Sequence, residues 1–117
     1  PDPIRATAGI HFMKVLTALG LAQSHQARFA TYPNGATAMR AMADADDPSA
    51  VGVTQASEIL YTEGVRYAGA LPAPFGLTTG YSAARVTNRI ESDSGAKLLE
   101  ALGASTNAQA RLSAGFE

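Results

Sequence analysis

Residues 50–75, AVGVTQASEILYTEGVRYAGALPAPF, contain the pattern on which the predicted fold depends. The apolar runs at 50–53 and 65–71 are each bounded by polar residues or prolines, which predicts two short buried strands. Residues 56–61 between them predict a short helix, and Gly64 ends that helix. The order strand, helix, strand is typical of an α/β protein, in which ligands bind at the corner that follows a strand.

The composition is that of a single globular domain. The chain has 117 residues, of which 46% are hydrophobic and 16% are charged, and its formal net charge is −1. The basic residues form no stripe that could follow a phosphate backbone, so we do not expect nucleic acid as a partner. No apolar run in the sequence approaches the ~18 residues of a membrane-spanning helix. The sequence has no cysteine, which excludes disulfides and thiolate metal sites.

The rest of the chain alternates between predicted helices and predicted strands. Apolar residues at helical spacing and capping residues at the ends identify the helices. The predicted helices are 9–19, 36–45, 94–102 and 105–115, and the remaining predicted strands are 27–32 and 77–86. We therefore expect an α/β fold in which helices flank a mainly parallel sheet on both faces. No strand precedes the first helix, which predicts further sequence before Pro1.

Three stretches in a fixed order carry a family resemblance. They are TAGI at 7–10, GVTQASEIL at 52–60 and STNAQARLSAGF at 105–116. Together they resemble the type 2 periplasmic solute-binding proteins, and among these the molybdate-binding family. The resemblance implies one α/β lobe over 1–117, which is incomplete relative to a two-lobe binding protein. Residues 1–76 would be the core of the second lobe, and 77–117 a returning strand with the C-terminal helices.

The resemblance also implies a site for a small anion in the cleft between two lobes. Helix starts offer unpaired N–H groups and a positive dipole end, so they can hold an oxyanion without lysine or arginine. The residues that we expect at the ligand, from this resemblance and from the corner after the predicted strand 50–53, are Thr7, Ala8, Gly9, Asn34, Gly35, Thr54, Gln55 and Ala56. Gln55 stands where the family has a tyrosine, so the ligand is a molybdate-like oxyanion or another small acid.

Simpler interpretations of several of these residues stay open. Gln55 is either a ligand donor or a polar residue hydrogen-bonded to a loop. Asn34 and Thr7 are also good helix caps, and capping alone explains them. Gly35 either permits the close approach of an anion or provides a turn with positive φ.

The resemblance implies the extracytoplasmic, periplasmic solute-binding component of an ABC importer. Its partners would be a small anionic ligand and the membrane subunits of the transporter, and we expect no cofactor, metal or catalytic role. The glycines of a nucleophile elbow are missing around Ser57, and neither histidine has a second ligand at metal spacing. Two alternatives remain: the ligand-sensing effector domain of a transcription regulator, and a degenerate lobe that binds nothing. An isolated lobe exposes its former interlobe face, so a homodimer is a further expectation.

Overall fold

A computed structural model describes residues 1–86 and 93–116 of the chain. These residues form the α-helices α1 (Thr7–Ala18), α2 (Gly35–Ala43), α3 (Ala56–Tyr61), α4 (Asp93–Gly103) and α5 (Ala108–Ser113), with short 3₁₀ turns at Gln26–Arg28 and Ser105–Asn107. The chain divides into two compact units, with the boundary between Leu77 and Thr78.

The prediction of a mainly parallel sheet flanked by helices is wrong, because the described residues contain helices and no strand. The stretches predicted as strands, 27–32, 50–53, 65–71 and 77–86, lie outside regular structure except for the 3₁₀ turn in the first of them. Their β-branched and aromatic residues do favour an extended backbone, and Phe29 adopts one, with φ −88° and ψ 122°. A sheet also needs a neighbouring strand to share its hydrogen bonds, and the described residues form no such pairing.

Helix α1 confirms the first predicted helix and ends as the glycine after it indicates. Gly20 has φ +71°, a left-handed conformation that glycine adopts without strain. The N–H of Leu21 donates to the carbonyl of Leu16 at 2.8 Å, and the N–H of Gly20 donates to the carbonyl of Thr17 at 3.0 Å. These two hydrogen bonds are the Schellman pair, which satisfies carbonyls that the last helical turn leaves unpaired.

The hydrophobic core of the first unit is small and lies on α1 and α2. Its buried apolar side chains are Val15, Leu16, Ala38 and Met39. Met39 is only 1% exposed, and full burial of a side chain of this size contributes roughly 1.5–3 kcal/mol. The segment at 50–53 crosses α2 so closely that a Cβ on Gly52 would overlap the end of the Met39 side chain. Met39 therefore fixes this segment against α2.

The second unit contains α4 and α5, which confirm the two predicted C-terminal helices. Gly115 has φ +84° and ends α5, and the Phe116 ring packs edge to face against Tyr81 with ring centroids 5.8 Å apart. Although helical spacing predicts that Leu98 and Leu102 of α4 face inward, Leu98 is 60% exposed and Leu102 is 55% exposed. Residues 77–86 are not the returning strand that we expected. None of the described helices has the length and apolar character needed to cross a membrane.

Candidate functional site

The start of α2 is capped by the residue that the sequence indicates. Asn34 has an extended backbone, with φ −149° and ψ 171°, and its Oδ1 accepts a hydrogen bond from the N–H of Thr37 at 2.8 Å. This contact satisfies one of the N–H groups that the first turn of a helix leaves unpaired, and such a cap stabilises a helix by about 1 kcal/mol. The side-chain oxygen of Asn34 is thus engaged by α2 itself.

A second N–H group of the same helix start is bound by a carboxylate from α3. The N–H of Ala36 donates to Oε1 of Glu58 at 3.2 Å, and the hydroxyl of Thr54 donates to Oε2 of the same carboxylate. Both contacts are partly buried. A negative charge at this position also interacts favourably with the positive end of the helix dipole. The chain's own carboxylate therefore occupies the position at which we expected an external anion.

Gly35 allows this approach because it has no side chain. It is a buried residue in the first turn of α2, and a Cβ at this position would overlap the Thr54 hydroxyl oxygen and the Glu58 carboxylate. Its φ does not lie in the left-handed region, so a tight turn is not the reason for glycine here. Of the two interpretations of Gly35, the structure supports close approach, and the approaching group is Glu58.

Helix α3 positions the Glu58 carboxylate. Gln55 is the N-cap residue of this helix, with φ −66° and ψ 143°, and its carbonyl accepts the N–H of Glu58 at 3.1 Å. Its side chain makes no capping hydrogen bond to α3, and Ala56 is the first residue of the helix. The hydroxyl of Thr62 donates to the Glu58 carbonyl at 2.7 Å, one turn later. Thr54, Gln55 and Ala56 thus precede a helix without following a strand, which corrects the expectation that they form the corner of a sheet.

The third predicted group, Thr7 to Gly9, lies in the first turn of α1. Ala6 is the N-cap residue and makes no side-chain hydrogen bond, so Thr7 is not the cap that we expected. Gly9 is buried, and a Cβ there would overlap the backbone of Asp2. No hydrogen bond within the described part of the chain joins Thr7, Ala8 or Gly9 to the Glu58 contact. The structure therefore brings together two of the three predicted donor groups.

Asp2 holds the chain before α1 in a tight turn. Its Oδ1 accepts the N–H of Ile4 at 2.7 Å and the N–H of Arg5 at 3.0 Å. These two hydrogen bonds stabilise the charged form, so they lower the pKa of the Asp2 carboxyl below its ordinary value of 3.8. The turn is therefore stronger when Asp2 is ionised, and it weakens in acid.

The chemistry that this arrangement supports is anion binding by neutral donors. Three donors of the predicted type, two main-chain N–H groups and one hydroxyl, already hold side-chain oxygens at the start of α2. Among residues 1–86 and 93–116, no group of three or more His, Asp or Glu side chains could hold a metal ion. His11 is engaged through its Nε2, 2.7 Å from the Phe75 carbonyl oxygen. The site therefore consists of neutral hydrogen-bond donors, the Glu58 carboxylate and the side-chain amide of Asn34.

Glu58 is the residue of the candidate site that the sequence analysis did not identify. It is the third residue of α3, a position from which a glutamate commonly reaches back to the N-cap of its own helix. Its spacing of four residues from Thr54 is visible in the sequence, whereas its contact with Ala36 spans 22 positions and depends on the packing of α3 against α2.

No family model, no curated protein and no solved structure matches this chain.

Proposed function

We propose that the chain binds a small anion at the start of α2, as part of the extracytoplasmic solute-binding component of an ABC importer. The observation that supports this proposal is the carboxylate of Glu58 on the N–H of Ala36. A carboxylate oxygen and an oxygen of a small oxyanion or organic acid accept the same kind of hydrogen bond. Glu58 is therefore a stand-in for the ligand, and the membrane subunits of a transporter are the proposed partners.

Ligand binding in this proposal is an exchange of anions. Glu58 is only partly buried and belongs to a helix of six residues, so its side chain can leave α2 without opening the core on Met39. An incoming anion takes the Ala36 N–H and the Thr54 hydroxyl in place of Glu58. Because two anions cannot share these donors, the Glu58 carboxylate competes with the ligand and lowers its affinity.

The test is to compare Glu58→Gln with Glu63→Gln in the complete chain. The probes are molybdate, tungstate, sulfate, phosphate and acetate, with binding measured by isothermal titration calorimetry. Each variant removes one negative charge, but Glu63 is an exposed residue without a hydrogen bond or ion pair to the described residues. A hydrogen bond to a charged group contributes about 1.5–3 kcal/mol and one to a neutral group about 0.5–1.5 kcal/mol, so glutamine competes for these donors more weakly than Glu58 by roughly 1.4 kcal/mol. We therefore expect Glu58→Gln to bind at least one probe roughly tenfold more tightly than Glu63→Gln does.

Two results would count against the proposal. If neither variant nor the unmodified chain binds any probe, the chain is not a receptor for these anions and the proposal is wrong. If Glu58→Gln and Glu63→Gln change the affinity equally, the effect is that of net charge, and the start of α2 is not the site.

The same contact favours one alternative, a lobe that has lost its ligand. Glu58 already satisfies Ala36, and Asn34 already satisfies Thr37, so this helix start has no need of an external anion for stability. In that case Glu58 is a structural cap, and Glu58→Gln lowers stability without creating affinity for any probe. Urea unfolding and calorimetry on Glu58→Gln distinguish an anion receptor from a structural cap.

A further inference from the structure

Asn34 and Gly35 form the one Asn-Gly pair in the sequence. In such a pair the main-chain nitrogen of the glycine can attack Cγ of the asparagine, because glycine has no side chain to hinder the approach. The new N–C bond closes a five-membered succinimide, the bond from Cγ to Nδ2 breaks, and ammonia leaves with the proton of the glycine N–H. Water then opens the ring at either carbonyl, which gives aspartate or isoaspartate. Asparagine is among the thermolabile residues of proteins for reasons of this kind.

No partner in the described part of the chain holds the attacking nitrogen. The N–H of Gly35 donates no hydrogen bond to the described residues. The side chain of Asn34 is exposed, so water reaches the group that must be hydrolysed. The reactivity of the pair therefore depends on the geometry of the helix start.

The backbone of Asn34 holds the two reacting atoms apart. A five-membered ring requires the Asn34 Cβ and the Gly35 nitrogen to be nearly eclipsed about the Cα–C bond, and at ψ 171° tetrahedral geometry leaves them staggered. The side chain cannot turn freely either, since its Oδ1 accepts the N–H of Thr37 at 2.8 Å. Gly35 is the first residue of α2, so ring closure requires the first turn of this helix to open.

A second contact resists this opening from α3. The N–H of Ala36 donates to Oε1 of Glu58 at 3.2 Å, and Gly35 is buried against the same carboxylate. To bring the Gly35 nitrogen onto Cγ of Asn34, the chain must give up this contact and the cap on Thr37. Local opening of this kind is an equilibrium, so the rate of the reaction follows the fraction of chains that are open.

We propose that the Asn34-Gly35 pair is a deamidation site that the start of α2 protects, and that it reacts when the first helical turn is open. The aspartate product keeps a capping oxygen and adds one negative charge. The isoaspartate product inserts an extra carbon into the main chain before Gly35, where even a Cβ would overlap the Thr54 hydroxyl oxygen and the Glu58 carboxylate. A chain that has formed isoaspartate therefore cannot rebuild the Glu58 contact. None of these steps depends on the proposed anion binding.

The first test compares deamidation of the complete chain at one neutral pH, folded in buffer and unfolded in guanidinium chloride. Trypsin releases residues 29–40, in which Asn34 is the only asparagine, and chromatography with mass spectrometry quantifies the three forms of this peptide. Asn107 precedes an alanine, whose side chain hinders the attack, so it is the slow reference in the same digest. The cap and the Glu58 contact each reduce the open fraction severalfold, so we expect Asn34 to react roughly tenfold more slowly in the folded chain. Equal rates in the two states overturn the proposal, and so does an unfolded chain in which Asn34 reacts no faster than Asn107.

The second test measures the contribution of Glu58 in the folded chain. Glu58→Gln replaces the charged acceptor of the Ala36 N–H with a neutral one, whereas Glu63→Gln removes the same charge from an exposed position without an ion pair to the described residues. We expect Asn34 to react roughly fivefold faster in Glu58→Gln than in Glu63→Gln. Equal rates in the two variants would contradict the protection by α3. Circular dichroism recognises a variant that fails to fold.

A third measurement needs no Glu58 variant. Chains that have reacted in guanidinium chloride are refolded, and the isoaspartate form is isolated and compared with Asn34→Asp, which has the same charge and a normal main chain. We expect the isoaspartate form to unfold at a lower urea concentration than Asn34→Asp, because only the isoaspartate form displaces Gly35. Equal midpoints would show that Gly35 tolerates the longer main chain, and the proposed loss of the Glu58 contact would be wrong.

Discussion

Replacing Gly35 with alanine should destabilise the protein, although alanine is the better helix former. The Cβ of alanine would overlap the Thr54 hydroxyl oxygen and the Glu58 carboxylate, so Glu58 must move away from α2. The N–H of Ala36 then loses its partner, and so does the hydroxyl of Thr54. The direction of the effect therefore depends on whether these contacts are worth more than the gain in helix propensity.

The free energy lost with the two hydrogen bonds exceeds the gain in helix propensity. Hydrogen bonds to a charged group contribute about 1.5–3 kcal/mol each when buried, and partial exposure of this site reduces the two contacts to roughly 2–3 kcal/mol together. Alanine gains up to about 1 kcal/mol over glycine in a helix. We expect Gly35→Ala to lower the free energy of unfolding by roughly 1–2 kcal/mol, which is a decrease of about 1 M in the urea midpoint for a chain of this size.

The assay is urea unfolding followed by circular dichroism, with Gly95→Ala as the matched control. Gly95 also lies in the first turn of a helix, but a Cβ there meets no atom of the described residues within 4 Å. Alanine at Gly95 should leave stability unchanged or raise it. The double variant Gly35→Ala with Glu58→Ala provides the second check, because removal of the carboxylate makes room for the new Cβ. Its destabilisation should be smaller than the sum of the two single effects. If Gly35→Ala stabilises the protein as Gly95→Ala does, the approach of Glu58 to α2 is refuted.

Further predictions concern other named contacts. Asn34→Ala removes the cap of α2 and should cost about 1 kcal/mol in urea unfolding, and an unchanged midpoint would show that the cap contributes nothing. Met39→Ala empties the centre of the first unit and should cost about 2–5 kcal/mol in the same assay, whereas a cost near zero would mean that this core does not hold the unit together. Gly20→Ala meets no steric obstacle but forces alanine to φ +71°, so it should cost about 1–2 kcal/mol. The carboxyl of Asp2 should titrate below 3.8 by NMR because the Ile4 N–H binds its charged form. Since the folded-state pKa is the lower one, this contribution to stability is present above the unfolded pKa of 3.8 and is lost as the pH falls through the lowered value. A pKa at or above 3.8 would contradict the turn.

The helices could be predicted from the sequence because their signals are local. Gly20 and Gly115 end α1 and α5 in the left-handed conformation that only glycine adopts easily. Asn34 binds an N–H group three residues away. Each of these contacts joins residues within about one helical turn of each other. The residues that determine the helix ends are therefore close together in the sequence. The exception is Thr7, because the chain before α1 places Ala6 at the cap position.

The prediction of a sheet is wrong because the sequence signal for a strand is only half local. The residues at 50–53 have the composition of a buried strand, and composition sets the preferred backbone conformation. Pairing depends on a second segment that arrives at the right place, and hydrophobic pattern does not specify which segment this is. In the described chain, 50–53 packs on Met39 through Gly52 without acquiring a partner. No residue of 50–53 is buried and Val51 is 87% exposed, so the prediction of a buried strand is wrong for burial as well as for pairing, although Gly52 lies against Met39.

The candidate site shows the same division between local and distant contacts. The donors at the start of α2 follow from the helix itself, and any helix start offers them. The identity of the group that they bind does not follow, because Glu58 reaches Ala36 only once α3 lies against α2. The sequence does not specify that α3 packs against α2, so it does not specify which acidic side chain reaches Ala36. The sequence signal at this point is the glycine at position 35, which allows a close approach. The structure shows that Gly35 is buried and that Glu58 is the group that approaches.

The two helix starts differ in a way that makes the anion experiment specific. At α2, Glu58 and Asn34 already hold the N–H groups of Ala36 and Thr37, so an anion must displace a side chain before it binds. At α1, the N–H groups of residues 7–9 have no partner within the described residues, and an anion there would displace nothing. Neutralising Glu58 removes a competitor at α2 but changes α1 only through the net charge, an effect that Glu63→Gln reproduces. An excess gain in affinity for Glu58→Gln over Glu63→Gln therefore assigns the anion to α2, because no ligand held by α1 alone distinguishes the two variants.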